Sequence, residues 1–204
     1  MGLKLAVLHA HHSNIAYTEM ALEDREIEQI HHVDPGLIHA IKTKSKDEVH
    51  QRVLAQLEWL TNTNPASILI TCTNYSLYIK EHEISGIPIL KLDELFFDTL
   101  LPYSEMTLYF TNSETVEGTM NRLQDFHSGA NYHVKLIDDA FHHLMNNKKE
   151  RYTKAIIDYI GYHPANGQAV FPQLSMYQAA TYLNKGGQSI VTPVHALKKL
   201  SLSH

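Results

Sequence analysis

The chain has 204 residues, 44% hydrophobic and 19% charged, with 17 Lys and Arg set against 22 Asp and Glu. The resulting charge of −5 argues against nucleic acid, whose partners cluster positive charge, and no apolar run nears the roughly 18 residues that span a bilayer. A single cysteine, Cys72, rules out an internal disulfide framework and fits a reducing compartment, so cytoplasm is the expected location.

Strand-like and helix-like stretches alternate, as in βαβ units around a mainly parallel sheet. Leu3 to His9 reads as a buried strand, reached from Met1 without a signal-peptide layout. Glu26 to Val33 gives a second strand, closed by Asp34-Pro35-Gly36. Asp47 to Leu60 sets Val49, Val53, Leu54, Leu57 and Leu60 at helical spacing, and Asn62-Thr63-Asn64-Pro65 stops that helix. Ser67 to Thr71 and Ile87 to Leu92 follow as strands. A second set begins near Met106, with a strand to Phe110, a helix from Thr115 to Phe126 and a strand from Asn131 to Ile137. Asn147 to Ile160 then forms a helix with Tyr152, Ala155, Ile156, Tyr159 and Ile160 inward, and Gln168 to Phe171 and Ser189 to Val191 are short strands. The second set repeats the element order of the first. That divides the chain at 1–105 and 106–204, with a C-terminal return to the first half left open, inside one compact unit.

Fifteen histidines are many for this length, and they include the doublets His11-His12, His31-His32 and His142-His143. Doublets in three different segments lack the close spacing of one structural zinc site. They are read as surface and loop residues, and no metal is expected.

Cys72 lies in Ile70-Thr71-Cys72-Thr73-Asn74-Tyr75-Ser76, where an apolar strand gives way to a polar loop. Ligands of parallel α/β sheets bind outside the carboxyl ends of the strands. A helix starting just after Asn74 would aim unpaired N–H groups and its dipole at the sulfur and at a substrate carboxylate. Such surroundings lower a thiol pKa and make it a usable base or nucleophile; an inert buried cysteine is the alternative. Other strand ends are polar too: His9-Ala10-His11-His12-Ser13-Asn14, Asp93-Glu94, Thr111-Asn112-Ser113-Glu114 and Thr192-Pro193-Val194-His195. Each stretch doubles as ordinary cap chemistry, and together they make a rim of donors suited to carboxylates.

Ile70-Thr71-Cys72-Thr73-Asn74 resembles the first cysteine motif of the aspartate/glutamate/hydantoin racemase superfamily. The order around it agrees: His31-His32-Val33-Asp34 before a helix, and Gly86 to Glu94 after the cysteine helix. Leu108 to Thr115 and Asp139-Ala140-Phe141 follow in the second half, Val170 to Met176 resembles the second catalytic loop, and Ile190-Val191-Thr192-Pro193 the closing strand. The resemblance implies a three-layer α/β fold of two similar racemase-like halves with mainly parallel sheets. It also implies an active site in the cleft between them, where Cys72 and Gln173 face each other.

Racemases of this family use two thiols, one on each face of the substrate's α-carbon, and the second position here is Gln173. A carboxamide is no general acid or base, so two-thiol racemisation is not expected unless His195 or His11 serves the second face. Some single-cysteine relatives resemble decarboxylases, and others use the first cysteine as the nucleophile of a cis–trans isomerase. By analogy Cys72 is the acid/base or nucleophile of a cofactor-independent enzyme acting beside the carboxylate of a small acid. Thr73, Asn74, His11, Ser13, Thr111, Asn112, Ser113, Ser175 and Thr192 would bind the carboxylate or stabilise an enediolate, with Gln173 orienting the substrate. A homodimer is compatible with this reading. The competing classes are a carboxylate-binding protein without turnover, or a redox-sensing thiol, which lacks a resolving cysteine.

Overall fold

The computed structural model describes residues 2–201. They fall into two units: the chain up to Leu95 with the stretch from Ala196, and Phe96 to His195. Residues 96–105 therefore go with the second unit, and the chain returns to the first at Ala196.

In the first unit β1 (Leu3–His9), β2 (Ile27–Val33), β3 (Ser67–Ile70), β4 (Glu83–Ile84) and β5 (Ile87–Lys91) form a sheet in the order β2-β1-β3-β5-β4. All neighbours run parallel except β4, which pairs antiparallel with β5 at the edge. The helices are α1 (Ile15–Ala21), α2 (Gly36–Thr43), α3 (Lys46–Thr61), α4 (Thr73–Ser76) and α5 (Leu92–Asp98), the last carrying the chain into the second unit. Ala6, Leu8, Ile68 and Ile70 pack with Leu37 and Ala40 of α2 and with Val49, Val53, Leu57 and Leu60 of α3. Leu5, Val7 and Leu69 alternate to the opposite face and are equally buried, so the central strands are covered on both sides, as continuous apolar runs require. α3 opens on a capping box: Ser45 Oγ accepts the Glu48 N–H, and the Glu48 carboxylate accepts that of Ser45.

The second unit is a parallel sheet of β6 (Glu105–Phe110), β7 (Asn131–Leu136), β8 (Gln168–Val170) and β9 (Ile190–Val191), in the order β7-β6-β8-β9. With the edge strand β4 set aside, this is the order of the first sheet, so the repeated element order extends to topology. The helices are α6 (Val116–Phe126), α7 (Ala140–Met145), α8 (Lys149–Tyr162), α9 (Tyr177–Lys185) and α10 (Pro193–Lys198), the last running back into the first unit. Tyr152, Ile156 and Ile160 of α8 pack on Tyr109, Phe171, Met176 and Ile190. Gly167 enters β8 with φ +70°, and a Cβ there would lie 2.1 Å from the Glu105 carbonyl oxygen; only glycine allows that approach.

Five helices (α1, α5, α7, α9 and α10) and the two-residue β4 go beyond the elements read in the sequence, while α2 and α4 stand where a helix was read after Asp34 and after Cys72. These five helices have six to nine residues, too few turns for periodicity to show. No helix among the described residues is long and apolar enough to cross a membrane.

Candidate functional site

Strand order reverses between β1 and β3 in the first sheet and between β6 and β8 in the second. Beyond the carboxyl ends at such a reversal the flanking connections part and leave a crevice. Each unit builds its two turns there in the same way. Cys72 (φ −114°, ψ 121°) and Gln173 (φ −102°, ψ 130°) are extended residues that open α4 and a 3₁₀ turn at Leu174–Met176. Their carbonyls accept the N–H groups of Tyr75 and Met176, each at 3.0 Å. Across each reversal His11 and Asn112 open 3₁₀ turns at His12–Asn14 and Ser113–Thr115. His11 Nδ1 accepts the Ser13 N–H at 3.2 Å, and Asn112 Oδ1 that of Glu114 at 3.1 Å.

Cys72 packs partly buried against the α2/α3 core. The Tyr75 N–H is bonded to the Cys72 carbonyl, and the sulfur caps no N–H. The polarity of the nearby Asn74 and Tyr75 backbone N–H groups favours a thiolate, but burial outweighs it and pushes the thiol above its ordinary 9.0. This reverses the expected lowering. α4 has four residues and hence little dipole to set against desolvation. At neutral pH the resting form is therefore S–H. The segment after Cys72 is anchored firmly. Tyr75 OH donates to the Asp34 carbonyl at 2.8 Å, Arg52 Nη2 grips both Asp34 carboxylate oxygens at 2.9 and 2.8 Å, and the Asp34 N–H donates to His9 O at 2.9 Å.

His11 and His12 are exposed in their turn as read from the sequence, whereas His9 and His31 depart from a surface-and-loop reading. His9 is 0% exposed at the end of β1. Its Nδ1 lies 3.0 Å from Thr71 Oγ1, beside Cys72 in the chain, and its Nε2 lies 3.0 Å from His31 Nδ1. Burial, then His31 and His32, hold His9 down at about 4, and burial lowers His31 despite Glu19. Both rings are neutral at pH 7. Polar residues closing a β-strand invite a loop reading; the signal for burial was position, since His9 continues the alternation of Leu5 and Val7.

In the second unit Thr111, Gln173 and Ser175 come together through Tyr152, which sequence reasoning placed only in the core. The Thr111 N–H lies 2.7 Å from Gln173 Oε1; a backbone N–H only donates, so the carboxamide oxygen must face it. Thr111 Oγ1 also donates to that oxygen, at 2.9 Å. Having given its one proton, it accepts from Tyr152 OH at 3.0 Å, which in turn accepts from Ser175 Oγ at 2.8 Å. The donors thus run in one direction, Ser175 to Tyr152 to Thr111 to Gln173. Gln173 Nε2 points to Thr115 Oγ1 at 3.5 Å, leaving its N–H groups as the donating side of position 173.

Of the remaining sequence-picked residues, His11 and Ser13 are joined side chain to side chain at 2.8 Å within their turn, and Asn112 caps its own. Ser113 is exposed. Thr192 is fully buried, with its N–H donating to His195 Nδ1 at 3.1 Å, which ties both residues into the start of α10. The half-buried side chains of Thr73 and Asn74 make no hydrogen bond among the described residues and are open to a ligand. Among the described residues no three His, Cys, Asp or Glu side chains are grouped to hold a metal ion.

This architecture defines an α/β fold of two alike, mainly parallel units with polar strand ends. It is the fold of the aspartate and glutamate racemases. An aspartate racemase from Picrophilus torridus is similar at TM-score 0.72, with 14% identity over 97% of this chain and 91% of that one. A glutamate racemase from Campylobacter jejuni subsp. jejuni is similar at TM-score 0.70, with 13% identity over 99% and 88%. An unliganded arylmalonate decarboxylase follows at TM-score 0.62, with 12% identity over 96% and 89%. No family model and no curated protein matches the sequence.

Proposed function

We propose that the chain is a cofactor-independent enzyme of the racemase and isomerase kind, acting at the carbon next to a carboxylate of a small acid. In this reading Cys72 is its acid/base thiol. One observation carries it: the sulfur stands at a topological reversal, near the Asn74 and Tyr75 backbone N–H groups whose polarity favours its anion, yet burial keeps it protonated at rest. A group so poised gives up a proton and tolerates the charge left behind. Cys72 therefore suits protonation of an enediolate on one face, with Thr73, Asn74 and the Asn74 amide as donors near it. Gln173, where the resemblance puts the second thiol, carries no titrating proton, which is in keeping with one-face chemistry. The loss of CO₂ from a malonate-type acid followed by protonation is such a reaction, and the fold shared with an arylmalonate decarboxylase is consistent with it. The lone cysteine suits a reducing compartment such as the cytoplasm.

A second reading, a carboxylate-binding protein without turnover, is favoured by the closed hydrogen bonding of Thr111, Gln173 and Ser175 in the second unit. Proton NMR in D₂O separates the two. Wild type and Cys72→Ala are incubated with acidic amino acids, hydroxy acids and substituted malonates. Cys72-dependent deuterium uptake or CO₂ loss with retained stereochemistry is expected. Ligands that raise the melting temperature of both proteins without any exchange would establish binding alone.

A further inference from the structure

The contacts from Glu19 to Thr71 admit two arrangements of protons. A neutral imidazole carries one N–H, so two rings in series ending on a hydroxyl donate all one way or all the other. Any mixture sets two protons or two lone pairs against each other across 3.0 Å. In one direction His31 Nδ1–H donates to His9 Nε2, His9 Nδ1–H to Thr71 Oγ1, and Thr71 to the Leu8 carbonyl at 3.2 Å. That leaves the buried His31 Nε2 without a hydrogen-bond partner among the described residues, its lone pair 3.8 Å from Glu19 Oε1. In the other direction Thr71 donates to His9 Nδ1, His9 Nε2–H to His31 Nδ1, and His31 Nε2–H turns toward the carboxylate. The Leu8 carbonyl is not orphaned by this, because it also accepts the Thr71 N–H at 3.1 Å.

We propose that Glu19, His31, His9 and Thr71 form a proton relay whose direction is set by the Glu19 carboxylate, joining the surface of α1 to the hydroxyl that precedes Cys72. Its members are positioning residues, and their bearing on thiol chemistry rests on the function proposed above. An ionised Glu19 draws the N–H of His31 outward and turns the Thr71 proton onto His9. A protonated Glu19 reverses the chain. In one passage the Glu19 O–H bond breaks as His31 Nε2–H forms, His31 Nδ1–H breaks as His9 Nε2–H forms, and His9 Nδ1–H breaks as a new Thr71 O–H forms. The previous Thr71 hydroxyl proton leaves to a water or ligand oxygen, so one proton enters and one departs. Burial of the rings keeps both neutral, as the relay requires. His32 on β2 is the other titratable group acting on His9, and it stands edge-on to Trp59.

The test is ¹⁵N NMR of histidine-labelled protein, with His9 and His31 assigned from single variants, comparing wild type, Glu19→Gln and Glu19→Asp. Glu19 is 61% exposed, so the variants leave the core intact. Wild type and Glu19→Asp at neutral pH are expected to show both rings as the Nε2–H tautomer. Glu19→Gln, whose amide donates to His31 Nε2, switches both together to Nδ1–H. A switch of His31 without His9, or of neither, overturns the relay. Deuterium exchange in the same samples reads the other claim: the pH profile moves in Glu19→Gln and returns in Glu19→Asp. Absence of exchange in wild type with a joint tautomer switch would count against the proposed function and leave the relay standing.

Discussion

Acid reaches the first unit through His9. In the unfolded chain this ring titrates near its ordinary 6.5, whereas in the folded chain burial and the neighbouring His31 and His32 hold it at about 4. Between those values the unfolded state binds more protons, so stability is fully present above 6.5 and falls as the pH drops through the window. The gap of about 2.5 pH units, at about 1.36 kcal/mol each, amounts to ~3 kcal/mol lost by pH 4, an appreciable part of the roughly 5–15 kcal/mol of a typical domain. His31 and His32, also lowered by burial, act in the same sense. Replacing His9 by Gln removes the titration while keeping a polar side chain. At pH 7.5 the variant is expected to be less stable by about 1–3 kcal/mol, through the broken contacts to Thr71 and His31. Urea unfolding at half-unit steps from pH 7.5 to 4 checks both effects. The wild-type curve should fall toward the flatter variant curve; two parallel curves would refute the assignment of His9 as a buried neutral ring.

Three further outcomes follow from the geometry. Alkylation of Cys72 by iodoacetamide should reach half its limiting rate above pH 9.0, the ordinary thiol value, since burial outweighs the polarity of the nearby amides; an inflection below it would contradict that balance. Thr111→Val keeps the shape and the backbone N–H to Gln173 but removes the hydroxyl that links Tyr152 to Gln173, costing about 1 kcal/mol by chemical denaturation, whereas Thr111→Ser should recover most of it. Gly167→Ala, at φ +70° and 2.1 Å from Glu105 O, should destabilise by more than about 2 kcal/mol. Gly187→Ala, at φ +93° with nothing within 4 Å, should cost only its backbone strain of about 1 kcal/mol, and equal melting temperatures for the two would disprove the steric account.

The strands were legible because β1, β3 and β6 are short, mostly apolar runs bounded by polar turns, and α3 and α8 because three or more turns of each show a repeating face. Cys72 could be placed at a strand end by the same pattern. Its ionisation could not, because a short helix and a deep environment oppose each other and only coordinates show which is larger. Tyr152 was assigned correctly to the core, yet its hydroxyl is the central link of a polar chain; residue spacing locates a ring but says nothing of where its oxygen reaches. His9 shows the converse error. Its polarity suggested an open strand end, while its partners on β2 and just after β3, 22 and 62 residues away, made burial tolerable.

The path of the chain bears on how the protein comes off the ribosome. Arg25, just before β2, donates through its guanidinium to the carbonyls of Lys198 and Leu200, groups that emerge only after all of Phe96–His195 has been made. At the usual 5–20 residues per second, the early unit waits roughly 5–20 s for these acceptors while the later one has already acquired its whole sheet. A nascent chain stalled near residue 195 would therefore carry an N-terminal unit with its whole sheet made but with Arg25 still lacking the two carbonyls that receive it, a window in which a chaperone would find its client.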